Sequence, residues 1–306
     1  MESRGLPYIE AEKSKIIVIL GPTSSGKSDL AIGVAQKYNG EIISADSRQV
    51  YREMNIGTGK ITKTEQKLAT HHMLDIVSPK STFNAAQFKK RAEKIIEDIL
   101  QKNKLPIICG GTGFWIKAVV DNVNFPEVKP NQKLRNTLNK KSASELFQML
   151  KKFDSERIKS IDAKNKVRLI RAIEICKTIG KVPNPSNNKI KYDFLQIGIA
   201  VPKEKLQSNI QKRLTNRFRQ GMIDEVEKLH KNHKLSWKKI QSFGLGYYWI
   251  TLYFQKKISR EELFEKVYLA EKDYAKRQMT WFQKDKRIKW TKNAKEVHTL
   301  IQKFLK

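Results

Sequence analysis

Gly21-Pro22-Thr23-Ser24-Ser25-Gly26-Lys27-Ser28 constrains this chain more than any other stretch. It fits G-x-x-x-x-G-K-[ST], and it lies between a β-branched run at 15–20 (KIIVIL) and a segment predicted as a helix over 29–38. The glycines let the loop curl so that backbone amides point at phosphate oxygens, and the helix N-terminus adds partial positive charge. Lys27 supplies a point charge, and Ser28 offers a hydroxyl to Mg²⁺. Gly21, Thr23, Ser24, Ser25, Gly26, Lys27 and Ser28 are therefore the candidate phosphate-binding set. The loop does not name the reaction. It can hold ATP for phosphoryl transfer, or a diphosphate whose departing charge it stabilises.

The surrounding pattern predicts an α/β fold with a parallel sheet. A second strand reads at 41–45 (EIISA) and a third at 105–109 (LPIIC). Between them, 87–103 is an amphipathic helix with Phe88, Ala92, Ile95, Ile96, Ile99 and Leu100 on one face. Strands alternating with helices put ligands at the carboxyl ends of the strands. Asp46 follows the second strand directly, so it is expected at the edge that carries the phosphate loop. A carboxylate there is a general base, a magnesium partner, or a cap on the next turn. Gly110-Gly111-Thr112-Gly113 follows the third strand, and Thr112 either meets a substrate or caps a helix. Lys60 is either a further phosphate contact or solvated. His71-His72 lacks a third ligand at a spacing suited to metal.

Past residue 120 the pattern changes. Residues 131–180 read as mainly helical and lysine-rich, 183–191 as a polar loop, and 194–201 as a returning apolar strand. This predicts a core begun by 1–120, a helical insertion over 121–192, and a second core part over 193–306. Helices are expected there at 203–231, 236–254 and 260–284, with a short strand at 288–290.

Charge is the strongest bulk property. The 306 residues hold 61 basic and 31 acidic side chains, a net +30. Residues 1–120 hold 18 and 12, residues 121–306 hold 43 and 19, so the excess sits behind the first core part. That distribution suits a polyanionic partner, nucleic acid above all. The two cysteines, Cys109 and Cys176, disfavour a disulfide framework or a zinc finger. There is no long apolar run, and residues 1–13 are polar, so neither a membrane span nor a secretion signal is expected. The expected compartment is a reducing cytoplasm.

Taken together, certain stretches resemble bacterial tRNA dimethylallyltransferases, also called tRNA isopentenyltransferases. They are GPTSSGKS (21–28), ISADSRQVY (43–51), His71-His72-Met73-Leu74-Asp75, GGTGFW (110–115), RLIRAIE (168–174) and YAKRQMTWF (274–282). The resemblance spans nearly the whole chain. It implies a P-loop NTPase-like core with an inserted helical domain that holds the anticodon stem-loop, with Mg²⁺ at Ser28; a monomer is expected. It implies dimethylallyl transfer from dimethylallyl diphosphate to N6 of adenosine 37 in tRNA. Carried over, Asp46 looks like the base facing the adenine amine and Thr112 like a hydroxyl near the reacting carbon. Lys27 and Arg213 look like the diphosphate clamp, with Arg217 the alternative to Arg213, and Ser28 like the magnesium ligand. Asp46, Ser47, Arg48, Gln49, Arg135, Arg168, Arg171, Tyr247, Lys276, Arg277 and Gln278 match tRNA-contacting positions. Trp281, on one helical face with Tyr274 and Gln278, is expected in the core. The chain departs from the family at Asn209, where an arginine is usual, at Tyr248 after Gly246-Tyr247, and at Glu271-Lys272.

Overall fold

Six short strands form one sheet in the computed structural model, which describes residues 13–183 and 189–306. They are β1 (Lys15–Leu20), β2 (Gly40–Ser44), β3 (His71–His72), β4 (Leu105–Gly110), β5 (Asp193–Ile199) and β6 (Lys289–Thr291). The order is β3-β2-β4-β1-β5-β6, and every pairing is parallel. The carboxyl ends therefore share one edge, with Leu20 in register with both Gly110 and Gly198. Most of the expected N-terminal segment and part of the 183–191 loop lie outside the described residues.

The strands are apolar runs because both sheet faces are covered. Ile16 to Leu20 of β1 are fully buried. On one face β1, β2, β4 and β5 pack against α1 (Lys27–Lys37) and the terminal α13 (Ala294–Leu305), which adds Val297 and Ile301 to the core. α2 (Lys63–Leu68) leads into β3, and α3 (Ala85–Gln101) buries Phe88, Ala92, Ile96 and Ile99, as its periodicity predicts. α4 (Gly113–Val120) follows β4.

Two compact units result: the chain to Val120 with Ile190–Lys306, and Asp121–Lys189. Residues 190–192 fall in the first unit, not the insertion. Lys191 pairs with Glu97 at 2.7 Å, and the Tyr192 ring meets Phe194 edge-on. The second unit holds α5 (Gln132–Asn139), α6 (Ala143–Phe153) and α7 (Lys166–Ile179) around Leu138, Leu146, Leu150, Leu169 and Ile173. At its centre Glu174, 1% exposed, accepts bonds from Asn131 N (2.6 Å), Arg135 (3.0 and 2.8 Å) and Arg171 (2.5 Å). Burial pushes the Glu174 carboxyl up, but those donors outweigh it and hold it at about 2.

The C-terminal helices are more divided than periodicity implied. The 203–231 segment is α8 (Lys203–Arg219) and α9 (Met222–Lys231), broken at Gly221 with φ 93°. The 236–254 segment is α10 (Trp237–Gln241) and α11 (Leu245–Phe254), broken at Gly244 with φ 75°. Only glycine adopts such dihedrals at little cost. α12 (Arg260–Phe282) runs unbroken behind a Ser259–Glu262 capping box.

Candidate active site

The phosphate loop follows β1 at the carboxyl edge of the sheet. Gly26 takes φ 84° and Ser24 φ 62°, a conformation costly for a side-chain-bearing residue. Among the described residues, the hydroxyls of Ser24 and Ser25 are buried with no hydrogen-bond partner. Buried polar atoms are nearly always satisfied, so two orphans in one loop mark a place for an acceptor-rich ligand. Lys27 Nζ reaches the Pro22 carbonyl at 3.1 Å. Burial pulls its pKa down; Cys109 and Asp46 counter that, and the neighbouring Arg213 adds to it.

Two cavities meet at Lys27, Ser28 and Arg213. The wider, about 660 Å³, opens along the phosphate loop and takes in Asn209, Lys212 and Lys60. The narrower, about 290 Å³, runs over the strand ends past Asp46, Cys109 and Tyr274 to Arg277. Asp46 Oδ1 accepts from the amides of Arg48 (2.8 Å) and Gln49 (3.3 Å), so it closes a local turn while facing the narrower cavity. Thr112 Oγ1 accepts from Ser47 N at 3.0 Å, which fixes that turn to the end of β4. Arg213 donates to the Gly59 carbonyl at 2.6 Å. Burial and the adjacent Arg217 lower its pKa. Arg217 is 6% exposed, pairs with Glu271 and donates to Gly57 O at 3.1 Å. Arg213 and Arg217 both line the two cavities where they join, and Arg217 is in addition paired with Glu271.

The cavity's thiol and the Tyr274 phenol stay neutral. Burial pushes the Cys109 thiol up to about 12, and its Sγ sits 3.6 Å from the Lys27 carbonyl. Burial, with Asp46 nearby, also raises the Tyr274 phenol. The arrangement combines cations and orphan donors for a diphosphate, a carboxylate, and a small partly apolar chamber between them.

Residues 49–285 match the family model described as IPP transferase. The chain belongs to the IPP transferase family. It is accordingly an enzyme, a transferase. It is similar to the tRNA dimethylallyltransferase of Halothermothrix orenii, at 36% identity over 317 residues, covering 99% of this chain and 96% of that one. A solved structure of the full-length tRNA isopentenylpyrophosphate transferase of Bacillus halodurans superposes with a TM-score of 0.73, at 31% identity, covering 96% of this chain and 97% of that one. A eukaryotic dimethylallyltransferase acting on tRNA gives 0.76, at 27% identity, covering 88% and 70%.

Within this IPP transferase the residues expected on tRNA divide into two sets. Arg48 and Arg277 line the narrower cavity, Arg48 over the Phe243 ring and Arg277 over Tyr274, each at 5.9 Å. Lys276 and Arg168 are exposed. The other set makes bonds within the protein, although Gln49, Tyr247 and Gln278 line the narrower cavity too. Gln278 is 6% exposed, accepts from Thr23 N and donates to Gly111 O, both at 2.8 Å, tying the phosphate loop to the end of β4. Tyr247 is 2% exposed and donates to Glu225 at 2.7 Å. Arg135 and Arg171 are held by Glu174, and Arg171 also donates to Val128 O at 2.9 Å. Gln49 Nε2 reaches Gly59 O at 3.3 Å. Asn209, standing for the usual arginine, donates to Ser24 O at 3.2 Å and so braces the phosphate loop.

Two further expectations are corrected. Lys60 is neither free nor on phosphate: it is buried between Asp75 (2.5 Å), Tyr51 O (2.8 Å) and Asn55 (2.9 Å). Trp281 is 37% exposed, packing edge-on against Phe114, because Gly113 leaves room for its ring at the surface. Glu225 was not anticipated. Its buried carboxylate takes the amides of Asn55, Ile56 and Gly57 at 2.7, 2.7 and 2.9 Å, fixing the loop that walls both cavities. No spacing rule links it to that loop 170 residues earlier.

Proposed function

We propose that this chain transfers a dimethylallyl group from dimethylallyl diphosphate to N6 of adenosine 37 in tRNA, releasing diphosphate. The observation that supports it most is one cavity holding Asp46 together with Lys27, Ser28 and Arg213, beside a loop whose Ser24 and Ser25 hydroxyls lack partners. The diphosphate lies on the phosphate loop, and Lys27 and Arg213 neutralise the charge that grows as the allylic C–O bond breaks. The bond electrons leave with the diphosphate, and the allylic carbon tolerates the positive charge meanwhile. The adenine amine is a weak nucleophile. Asp46 accepts its hydrogen bond and takes its proton as the N–C bond forms. Thr112 holds the turn that carries Asp46. Reaching this chamber requires the base to leave its stack.

Ser28 fits a magnesium role. Among the described residues no three carboxylate, thiol or imidazole groups cluster to hold a metal. A bound Mg²⁺ would take Ser28, diphosphate oxygens and water, which suits a hard cation that keeps much of its hydration, and it would shield the leaving charge.

The lysine-rich unit Asp121–Lys189, with Arg168 exposed, would grip the anticodon stem-loop through phosphates. Arg48, Lys276 and Arg277 would meet the loop at the chamber mouth. Among the described residues no helix is long and apolar enough to cross a membrane. We assign the enzyme to the cytoplasm, as a monomer, where its tRNA substrate resides.

The test incubates purified protein with Mg²⁺, labelled dimethylallyl diphosphate and unmodified tRNA, with AMP and ATP in parallel. Label in tRNA alone is expected. Label in AMP would move the acceptor to a free nucleotide, and ATP consumption without label would refute prenyl transfer.

A further inference from the structure

The narrower cavity is lined by two kinds of residue from different parts of the fold. Asp46, Arg48, Glu271 and Arg277, from the turn after β2 and from α12, are polar. Ala31 of α1, Ile42 of β2, Cys109 of β4, and the loop residues Ile61 and Leu74 make an apolar part beside the phosphate loop, while Phe243 and Leu245 line the far side next to Arg48. Ala31 stands one helical turn after Lys27, Ile42 is in register with His71, and Ser44 is in register with Cys109. The apolar lining thus lies beside the phosphate loop, over the β4, β2 and β3 end of the sheet. A hydrocarbon tail attached to a diphosphate at Lys27 would leave water by entering it.

What ends that lobe is a thin wall. His71 and Leu74 line the chamber, and both also line a separate outer groove of about 340 Å³ formed with Arg91, Lys94 and Ile95. Among the described residues, only these two side chains are common to both spaces. His71 is tethered, with Nδ1 donating to Ala69 O at 2.8 Å. Leu74 has no polar tether, but its backbone is fixed. Met73 and Asp75 on either side take φ 66° and 55°, Asp75 pairs with buried Lys60, and its amide donates to Gln49 O at 3.3 Å. A side chain on so anchored a turn acts as a fixed stop, not a flap.

We infer that Leu74, with His71 beside it, is the end stop that sets donor length, holding this enzyme to a five-carbon prenyl diphosphate and excluding ten-carbon and longer homologues. The inference rests on prenyl transfer as the reaction. Truncating Leu74 joins the chamber to the outer groove and gives a longer tail an apolar path past Ile95.

The experiment measures kcat/KM for tRNA prenylation with dimethylallyl diphosphate and with geranyl diphosphate, in wild-type protein and in Leu74→Ala. Wild type is expected to use the ten-carbon donor at least about a hundredfold less well, since one surplus methylene in a fitted pocket already costs about 10–200-fold. Leu74→Ala is expected to raise geranyl transfer at least about tenfold while losing up to about tenfold on the short donor. Equal use of both donors by wild type overturns the inference. So does a Leu74→Ala enzyme that keeps dimethylallyl transfer and still rejects geranyl diphosphate. Should that variant lose its folded melting transition, Leu74→Val, a smaller cut, is read on the same two criteria. Wild type that prenylates tRNA with neither donor refutes the proposed function instead, so the two failures are distinct.

Discussion

Replacing Asp46 by Asn separates its chemical role from its structural one. Asp46 Oδ1 accepts from the amides of Arg48 and Gln49 at 2.8 and 3.3 Å, and an asparagine oxygen can accept both. The turn, and its link to Thr112 through Ser47 N at 3.0 Å, should therefore survive. Alanine would remove those bonds and blur the result. Asparagine removes the charge and the proton acceptor. Loss of a general base commonly costs 10²–10⁴ in rate, or about 3–5 kcal/mol of barrier at about 1.4 kcal/mol per tenfold. The carboxylate also raises the pKa of Lys27 and of Arg213, so its loss weakens the hold of both cations on their protons. Diphosphate affinity is therefore measured alongside. The assay is single-turnover transfer of labelled dimethylallyl to tRNA at saturating donor, with filter binding for tRNA affinity. The rate should fall about 10²–10⁴-fold with tRNA affinity within about threefold. A rate within threefold of wild type refutes the base assignment. An equal loss of binding and rate makes Asp46 a binding residue.

Four further outcomes follow from the geometry. Lys27→Met should lower kcat at least about a hundredfold, as loss of a charge-stabilising donor does, with tRNA affinity unchanged by gel shift. Glu174 is depressed to about 2 from an ordinary 4.5, so its stabilisation is full above 4.5 and lost as pH falls through about 2. Melting temperature should drop across that window, and Glu174→Gln should lower it already at pH 7, because Arg135 and Arg171 lose their counter-charge. Binding of tRNA should weaken steeply with salt, and Arg168→Ala should flatten the log–log slope by about one, whereas Arg135→Ala should instead destabilise the protein in thermal melts. Gln278→Ala should raise the donor KM more than the tRNA KM in steady-state assays, since its bonds end on Thr23 and Gly111 rather than at the surface.

The parts legible in the sequence were those written within a few residues. The phosphate loop needs only a strand, glycines and a helix start in succession, and Asp46 and Thr112 needed only to follow strands of one parallel sheet. The apolar face of α3 was visible because a helix repeats every 3.6 residues. Other local signals in the sequence mark helix ends as well. Asn293 and Glu296 form the N-terminal cap of α13, with Glu296 N donating to Asn293 at 3.0 Å, and Gly221 and Gly244 mark real breaks.

By itself the sequence determined where the glycine-rich loop after β1 sits, that strands would alternate with helices around it, and that basic charge gathers behind residue 120. It could not decide which way a polar side chain turns, because that depends on partners distant in the chain. A glutamine on α12 looks the same whether it faces RNA or bridges Thr23 to Gly111. Nothing near Arg135 or Arg171 in the sequence singles out the Glu174 carboxylate that pairs with both. Lys60 looks like a phosphate lysine until burial leaves it only Asp75, Asn55 and a carbonyl to satisfy its proton donors. Burying a charge is costly unless it is paired, so wherever packing closes over a cation, the tertiary neighbour that pays its desolvation decides its role.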